Sequence, residues 1–200
     1  MWEAKTGTEL LTLTGHDSLI ISAVYSPDGQ RIVTADYYET ATVWEAKTGQ
    51  ELFTLGHDSE IYSAVYSPDG QRIVTGSYDG TAKVWEAKTG KLLFTLTGHD
   101  DQVWSVAYSP DGRRIVTASS DKTAKVWEAQ TGELLLTLTG HDDGVRSVSY
   151  SPDGRRIVIG LDDGIVQIHT TDMDELLQIA ESRVPRQLTA EEKEKYGILD

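Results

Sequence analysis

A chain of 200 residues, 38% hydrophobic and 25% charged, is long enough to bury a core and too apolar to be a disordered segment. Its net charge of −14 excludes the basic footprint of a nucleic-acid binder or of a protein that docks on anionic lipid, and no apolar run approaches the roughly 20 residues that span a bilayer. The absence of cysteine excludes disulfides, thiolate metal sites and a cysteine nucleophile, and it fits a reducing, cytoplasmic setting; the opening "MWEAKTGTEL" lacks the basic-then-apolar pattern of a secretory signal.

The first predicted element is a strand, "TELLTLTG" (Thr8 to Gly15), which has no obvious strand before it. Four copies of a longer unit follow. Each opens with a β-rich run such as "SAVYS" or "WSVAYS", apolar on both faces as an inner strand is (strand a). A tight "SPDGQ" or "SPDGR" turn leads to strand b, for example "RIVTGS". A second turn, "YDGT" or "SDKT", leads to strand c, "AKVWEA". After Thr89-Gly90 comes strand d, with Leu92, Phe94 and Leu96 on one face at period two. The fourth copy stops at strand c, "IVQIHT". The next stretch, "TDMDELLQIAESRV", reads as a capped helix with Leu176, Leu177, Ala180 and Val184 on its apolar face. "LTAEEKEKYGILD" reads as a second short helix that starts after Thr189.

The spacing sets the architecture. Trp2, Trp44, Trp85 and Trp127 recur at intervals of 42, 41 and 42, with His169 in the next slot. A period of about 40–45 residues points to propeller blades of four strands each. All four copies carry Gly-His and Ser-Pro-Asp-Gly, and they close on Trp-Glu or, in the last, on His169. Over residues 2–170 the chain resembles the WD-repeat β-propeller family, whose closing dipeptide is Trp-Asp. The implied fold is all-β: four blades over residues 1–171, with 8–15 as a ring-closing strand, and a helical appendage over 172–200. The block "DELLQIAESRVPRQLTAEEKEKYGI" resembles the end of bacterial WD-repeat proteins, so the C-terminus reads as natural. The start at Met1-Trp2, inside a motif, leaves open that the chain is a fragment of a longer signalling protein.

The resemblance implies one polar network per blade: His57, Ser77, Asp79 and Trp85 in one, and His99, Ser119, Asp121 and Trp127 in another. A buried imidazole needs a partner on each nitrogen, so His16, His57, His99 and His141 read as structural and not as ligands or catalysts. The first copy has Asp36 and Tyr38 where Ser and Asp are expected, and the fourth has Leu161 and His169 where Ser and Trp are expected. Both end blades are therefore expected to be held less tightly. The turn residues Asp28, Asp69, Asp111 and Asp153 bring one carboxylate each, far short of the roughly six to eight oxygens calcium takes. No nucleophile elbow, phosphate loop or zinc-protease motif is present. The sequence predicts no enzyme, cofactor or metal.

Positions that vary among near-identical copies are free of the blade's own constraints. They fall in two sets. One opens strand a: Leu19, Glu60, Gln102 and Gly144, then Ile21, Tyr62, Trp104 and Arg146. The other lies in the b–c turn: Tyr37, Tyr78, Ser120 and Asp162. In a propeller the d–a and b–c loops emerge on one face, so the two sets line one rim of the central channel. Aromatic and Arg side chains are the usual anchors of interfaces. The expected function is a non-catalytic protein-interaction or scaffolding module that binds a protein on this rim. The competing reading is a small-molecule or glycan binder. The unpaired first strand and the incomplete last blade further predict a homodimer that closes one eight-bladed ring.

Overall fold

A computed structural model describes residues 5–6, 8–16 and 18–171. The chain divides into two compact units, Met1–His169 and Thr170–Asp200. The helices expected over 172–200 lie outside the described residues.

The first unit is built from antiparallel meanders. The first blade has β1 (Ile20–Tyr25), β2 (Arg31–Asp36), β3 (Thr40–Glu45) and β4 (Glu51–Gly56). The second has β5 (Ile61–Tyr66), β6 (Arg72–Ser77), β7 (Ala82–Glu86) and β8 (Leu92–Leu96). The third has β9 (Val103–Tyr108), β10 (Arg114–Ser119), β11 (Ala124–Glu128) and β12 (Leu134–Leu138). The fourth has β13 (Val145–Tyr150), β14 (Arg156–Leu161) and β15 (Val166–Thr170). In each sheet the strands lie in sequence order, and the fourth sheet holds three strands among the described residues. Strands a to d of the sequence correspond to these elements in turn. Residues 8–15 differ from expectation: they contain one isolated bridge at Glu9 and no regular strand. A strand is a ladder, and no ladder over this segment runs among the described residues.

The Ser-Pro-Asp-Gly turns explain why each a–b hairpin closes identically. In the first, Gly29 N–H donates to the Ser26 carbonyl at 2.8 Å, and Ser26 Oγ donates to the Asp28 carboxylate at 2.6 Å. Asp28 also accepts from Gln30 N–H at 3.0 Å, and Ser26 Oγ accepts from Arg31 N–H at 2.9 Å. Gly29 sits at φ 70°, a conformation that favours glycine. The Ser26 hydroxyl and Gln30 N–H hold the exposed Asp28 carboxyl below its usual range.

The three largest core clusters are made between blades. One cluster joins Val33, Ala41 and Val43 to Ile61, Ala64 and Ile73. A second joins Val74, Ala82 and Val84 to Val103, Val106 and Ile115. A third joins Val116, Ala124 and Val126 to Val145, Val148 and Ile157. A strand packed on both faces reads as a near-continuous apolar run, which is the pattern of "RIVT" and "SAVY". Arg31 Nη1 and Arg72 Nη1 add polar ties by donating to the Ala87 and Ala129 carbonyls of the following blade.

Candidate functional site

The variable position of strand a is a β-bulge in all four blades. Ile20 pairs with Asp36 and Ser22 with Ala35, so Ile21 is the extra residue. Tyr62 is skipped in the same way between Ile61 and Ser63. Trp104 lies between Val103 and Ser105, which face Ser119 and Ala118. Arg146 lies between Val145 and Ser147. A bulged residue has no partner opposite it, and its side chain is re-aimed out of the strand's alternation. This is the physical reason the position tolerates Ile, Tyr, Trp and Arg while its neighbours do not change.

The bulge side chains meet from blade to blade. Tyr62 stacks on Trp104 with ring centroids 4.1 Å apart and planes at 27°. The Arg146 guanidinium covers the indole at 3.7 Å from its centroid. Tyr37 lies 6.1 Å from Tyr62, and Tyr78 lies 6.3 Å from it. Offset-stacked rings and Arg over Trp are favourable by roughly 0.5–1.5 kcal/mol for each pair. Trp104 therefore has a neighbour on each face, and the outward surface belongs to Leu19, Tyr37 and Tyr78, all exposed. Burial, with the Tyr37 hydroxyl as hydrogen-bond partner, pushes the Tyr62 phenol well above the ordinary tyrosine value.

Two of the bulge residues also bond to their own b–c turn. Trp104 Nε1 donates to Ser120 Oγ at 2.5 Å. Arg146 Nε donates to Asp162 Oδ1 at 2.8 Å, on the rim and half exposed. The two loops are clamped by backbone bonds that repeat in every blade. Tyr37 N–H donates to Leu19, Tyr78 to Glu60, Ser120 to Gln102 and Asp162 to Gly144, each at 2.9 or 3.0 Å. The two variable sets thus occupy one surface. Sequence reading missed the bulge and the pairing of Ser120 with Trp104 and of Asp162 with Arg146. The only trace was that both positions change together.

The polar networks run through a residue the sequence reading left out. Trp85 Nε1 donates to Thr75 Oγ1 at 2.9 Å. Thr75 lies 2.7 Å from His57 Nε2, and His57 Nδ1 lies 2.8 Å from Asp79 Oδ2. An ionised Asp79 only accepts, so His57 Nδ1–H donates to it. Ser77 joins from the other side: its Oγ accepts from Asp79 N–H at 3.1 Å and donates to the Ser59 carbonyl at 3.2 Å. The third blade repeats this with Trp127, Thr117, His99, Asp121 and Ser119. Burial raises Asp79 and Asp121, but hydrogen bonds from the paired histidine and from Thr81 or Thr123 outweigh it and hold both low. Burial lowers His99 despite Asp121.

The first blade departs from expectation. Asp36, at the Ser position, reaches His16 Nδ1 at 2.6 Å, and Thr34 links His16 Nε2 to Trp44 Nε1 at 2.5 and 2.7 Å. Its network is rebuilt, not lost, because a carboxylate two residues earlier still reaches the ring. In the fourth blade Ile159 replaces the threonine and His169 the tryptophan. His141 Nδ1 meets Gln167 Oε1 at 2.9 Å, and its buried Nε2 has no hydrogen-bond partner among the described residues. The four network histidines sit one per blade, and no group of three or more metal-binding side chains occurs among the described residues.

The match to known proteins has the same period. Residues 7–45, 49–86, 90–128 and 132–170 each match the WD domain, G-beta repeat. The chain belongs to the WD40 repeat family. It is 46% identical over 44 residues to the "WD repeat, SAM and U-box domain-containing protein 1" of Danio rerio, a stretch that covers 22% of this chain and 9% of that protein. Among solved structures it is similar to the RRP9 WD40 repeats and to U3-55K, each with TM-score 0.72, 28% identity and 78% of this chain covered. The chain spans about half of those two structures, 49% and 50%. WD40 repeats generally mediate protein–protein interactions and are typically non-catalytic scaffolds. No helix among the described residues is long and apolar enough to cross a membrane.

Proposed function

We propose that this WD40 chain is a non-catalytic interaction module that captures a protein on the rim formed by the bulge residues and the b–c turns, and that a second copy of itself is among its partners, in a closed eight-bladed ring. The observation that carries the rim reading is the placement of Ile21, Tyr62, Trp104 and Arg146, one in each repeat, on a bulge. The scaffold repeats and the bulge changes, so recognition is varied without disturbing the ladders. The surface offered is aromatic and apolar at Leu19, Tyr37 and Tyr78, with Arg146, Asp162, Glu60 and Gln102 as polar contacts. Polar groups are spread along the rim instead of converging on a pocket, which favours a macromolecular partner over a small molecule. The net charge of −14 favours a partner with a cationic face.

The test is affinity capture from lysate with the intact protein and with a Tyr37→Ala, Tyr78→Ala, Trp104→Ala variant, with captured proteins identified by mass spectrometry. The expected result is a protein retained by the intact chain and lost by the folded variant. Equal retention by both overturns the rim as the binding surface.

A further inference from the structure

The negative charge of the chain is concentrated at one end of its sheets. Of the fourteen loops between β1 and β15, seven lie on the rim side: residues 37–39, 57–60, 78–81, 97–102, 120–123, 139–144 and 162–165. Together they carry eleven acidic residues and one lysine. The seven a–b and c–d turns at the other end carry five acidic and five basic residues. The single rim lysine, Lys122, donates through Nζ to the Asp142 carbonyl at 2.8 Å. The excess of acid therefore surrounds the aromatic bulge residues.

The rim also shows how it holds a cation. The Arg146 guanidinium lies 3.7 Å from the centroid of Trp104, and its Nε donates to Asp162 Oδ1 at 2.8 Å. The ingredients are an aromatic face below the cation and a loop carboxylate beside it. A planar guanidinium uses both at once, since it stacks through its face and donates through its edge, whereas an ammonium is a point charge. In the fourth blade the chain fills this arrangement with its own arginine.

The second blade offers the same ingredients. Tyr62 is backed by Trp104 at 4.1 Å and flanked by Tyr37 and Tyr78 at 6.1 and 6.3 Å, both with planes tilted by 58°. Tyr78 is 47% exposed although a blade lies on each side of its own, so that exposure belongs to the rim. Glu60 stands where the fourth blade has Gly144, and its carbonyl accepts from Tyr78 N–H at 2.9 Å. The Ser59 hydroxyl and a backbone N–H hold the Glu60 carboxyl below its usual range, so it is charged at neutral pH. Its charge acts on the Tyr62 phenol. Among the described residues no Arg or Lys is seated on Tyr37, Tyr62 or Tyr78.

We propose that the rim at Tyr62, Tyr78 and Glu60 binds an arginine side chain of a protein partner, with the guanidinium against the tyrosine rings and its N–H groups on the Glu60 carboxylate. The acidic loops around the site attract a basic segment and repel an acidic one. This inference rests on the rim reading and names the chemistry that the rim takes.

The probe is a short Gly-Ser peptide with arginine at its centre. It is compared with the same peptide carrying lysine, or citrulline, which keeps the shape of arginine without its charge. Binding is followed by NMR on the tyrosine rings of the full chain. The arginine peptide is expected to shift the Tyr62 and Tyr78 signals saturably, the lysine peptide to bind about three- to five-fold more weakly, and the citrulline peptide to leave the signals unmoved. Tyr78→Ala, at an exposed position, and Glu60→Gln, which keeps the shape, are each expected to weaken the arginine peptide by about three- to ten-fold, while Tyr78→Phe retains its affinity. Equal affinity for arginine and lysine, or full affinity in both Tyr78→Ala and Glu60→Gln, overturns the site. So do unmoved rings up to about 10 mM arginine peptide. If the rings stay unmoved while the intact chain still captures a protein that the Tyr37→Ala, Tyr78→Ala, Trp104→Ala variant loses, the rim stands and the arginine site alone falls. If capture is also equal, both fall.

Discussion

The third and fourth blades share backbone, turns and most of their apolar residues, yet they differ in the polar chain that runs through the sheet. In the third, Trp127, Thr117, His99 and Asp121 are linked end to end. In the fourth, Ile159 breaks the link, His169 replaces the indole, and Asp163 is left to cap its own turn by accepting from Ile165 N–H at 2.9 Å. Both blades nevertheless pair their first two strands antiparallel with the same bulge. Strand pairing and the inter-blade apolar clusters therefore build the blade, and the polar chain adds stability to a structure already specified. The cost of a partial chain is visible at His141, whose Nε2 is buried without a partner among the described residues.

The comparison breaks most sharply at Thr117. Thr117→Val keeps the shape and strands both Trp127 Nε1 and His99 Nε2, so it is expected to cost about 2–4 kcal/mol in urea unfolding. Ile159→Val, at the equivalent position, removes one methylene and is expected to cost about 0.5–1.5 kcal/mol. Next in size, Asp121→Ala is expected to cost about 1–3 kcal/mol, whereas Asp163→Ala is expected to cost under about 1 kcal/mol because only a turn contact is lost. An effect of equal size at the two aspartates would show that the chain contributes nothing beyond the turn. The fourth blade can also be rebuilt. Ile159→Thr with His169→Trp supplies the missing link, and the pair is expected to raise stability by about 1 kcal/mol, read as a higher thermal midpoint.

The pH dependence follows from the same network. Burial favours neutral His99 in the folded state, so its folded pKa lies below the ordinary 6.5. Above that value both states are neutral and the contribution is complete. Below it the unfolded chain takes up a proton that the folded chain resists, and stability falls as pH drops through the folded pKa. Asp79 and Asp121 act lower down: their stabilisation is present above the unfolded value of 3.8 and is lost as pH falls below it. A urea midpoint that declines from pH 7 to pH 5 is expected, with a shallower decline in His99→Gln.

The smallest effect is at the b–c turn. Lys122 holds φ 67°, where the second and fourth blades use Gly80 and Gly164 at 79° and 85°. Lys122→Gly relieves a left-handed conformation and is expected to gain about 0.5–1 kcal/mol, less the bond from Lys122 Nζ to the Asp142 carbonyl.

The strands, their order and the closing turns were legible in the sequence because each depends on neighbours a few residues away. Alternation in "KLLFTLTG" and the turn chemistry of "SPDG" act locally, and four copies of one pattern reinforce each reading. The polar chain was half legible: His57 and Asp79 stand out by type, but Thr75 looks like any strand threonine until the sheet brings it within hydrogen-bond reach of both His57 and Trp85. A trace existed, since Thr34, Thr75 and Thr117 accompany tryptophan and Ile159 accompanies His169. The variable rim was legible as a set of positions. Only the tertiary structure decided that each is a bulge, that Tyr62, Trp104 and Arg146 form one column, and that Asp36 takes the place of the missing turn aspartate. Those facts depend on which residue of one strand faces which residue of another, and on how one blade lies against the next. A residue's own type and its nearest neighbours carry no information about a ladder that skips it or a ring stacked on it from 42 residues away.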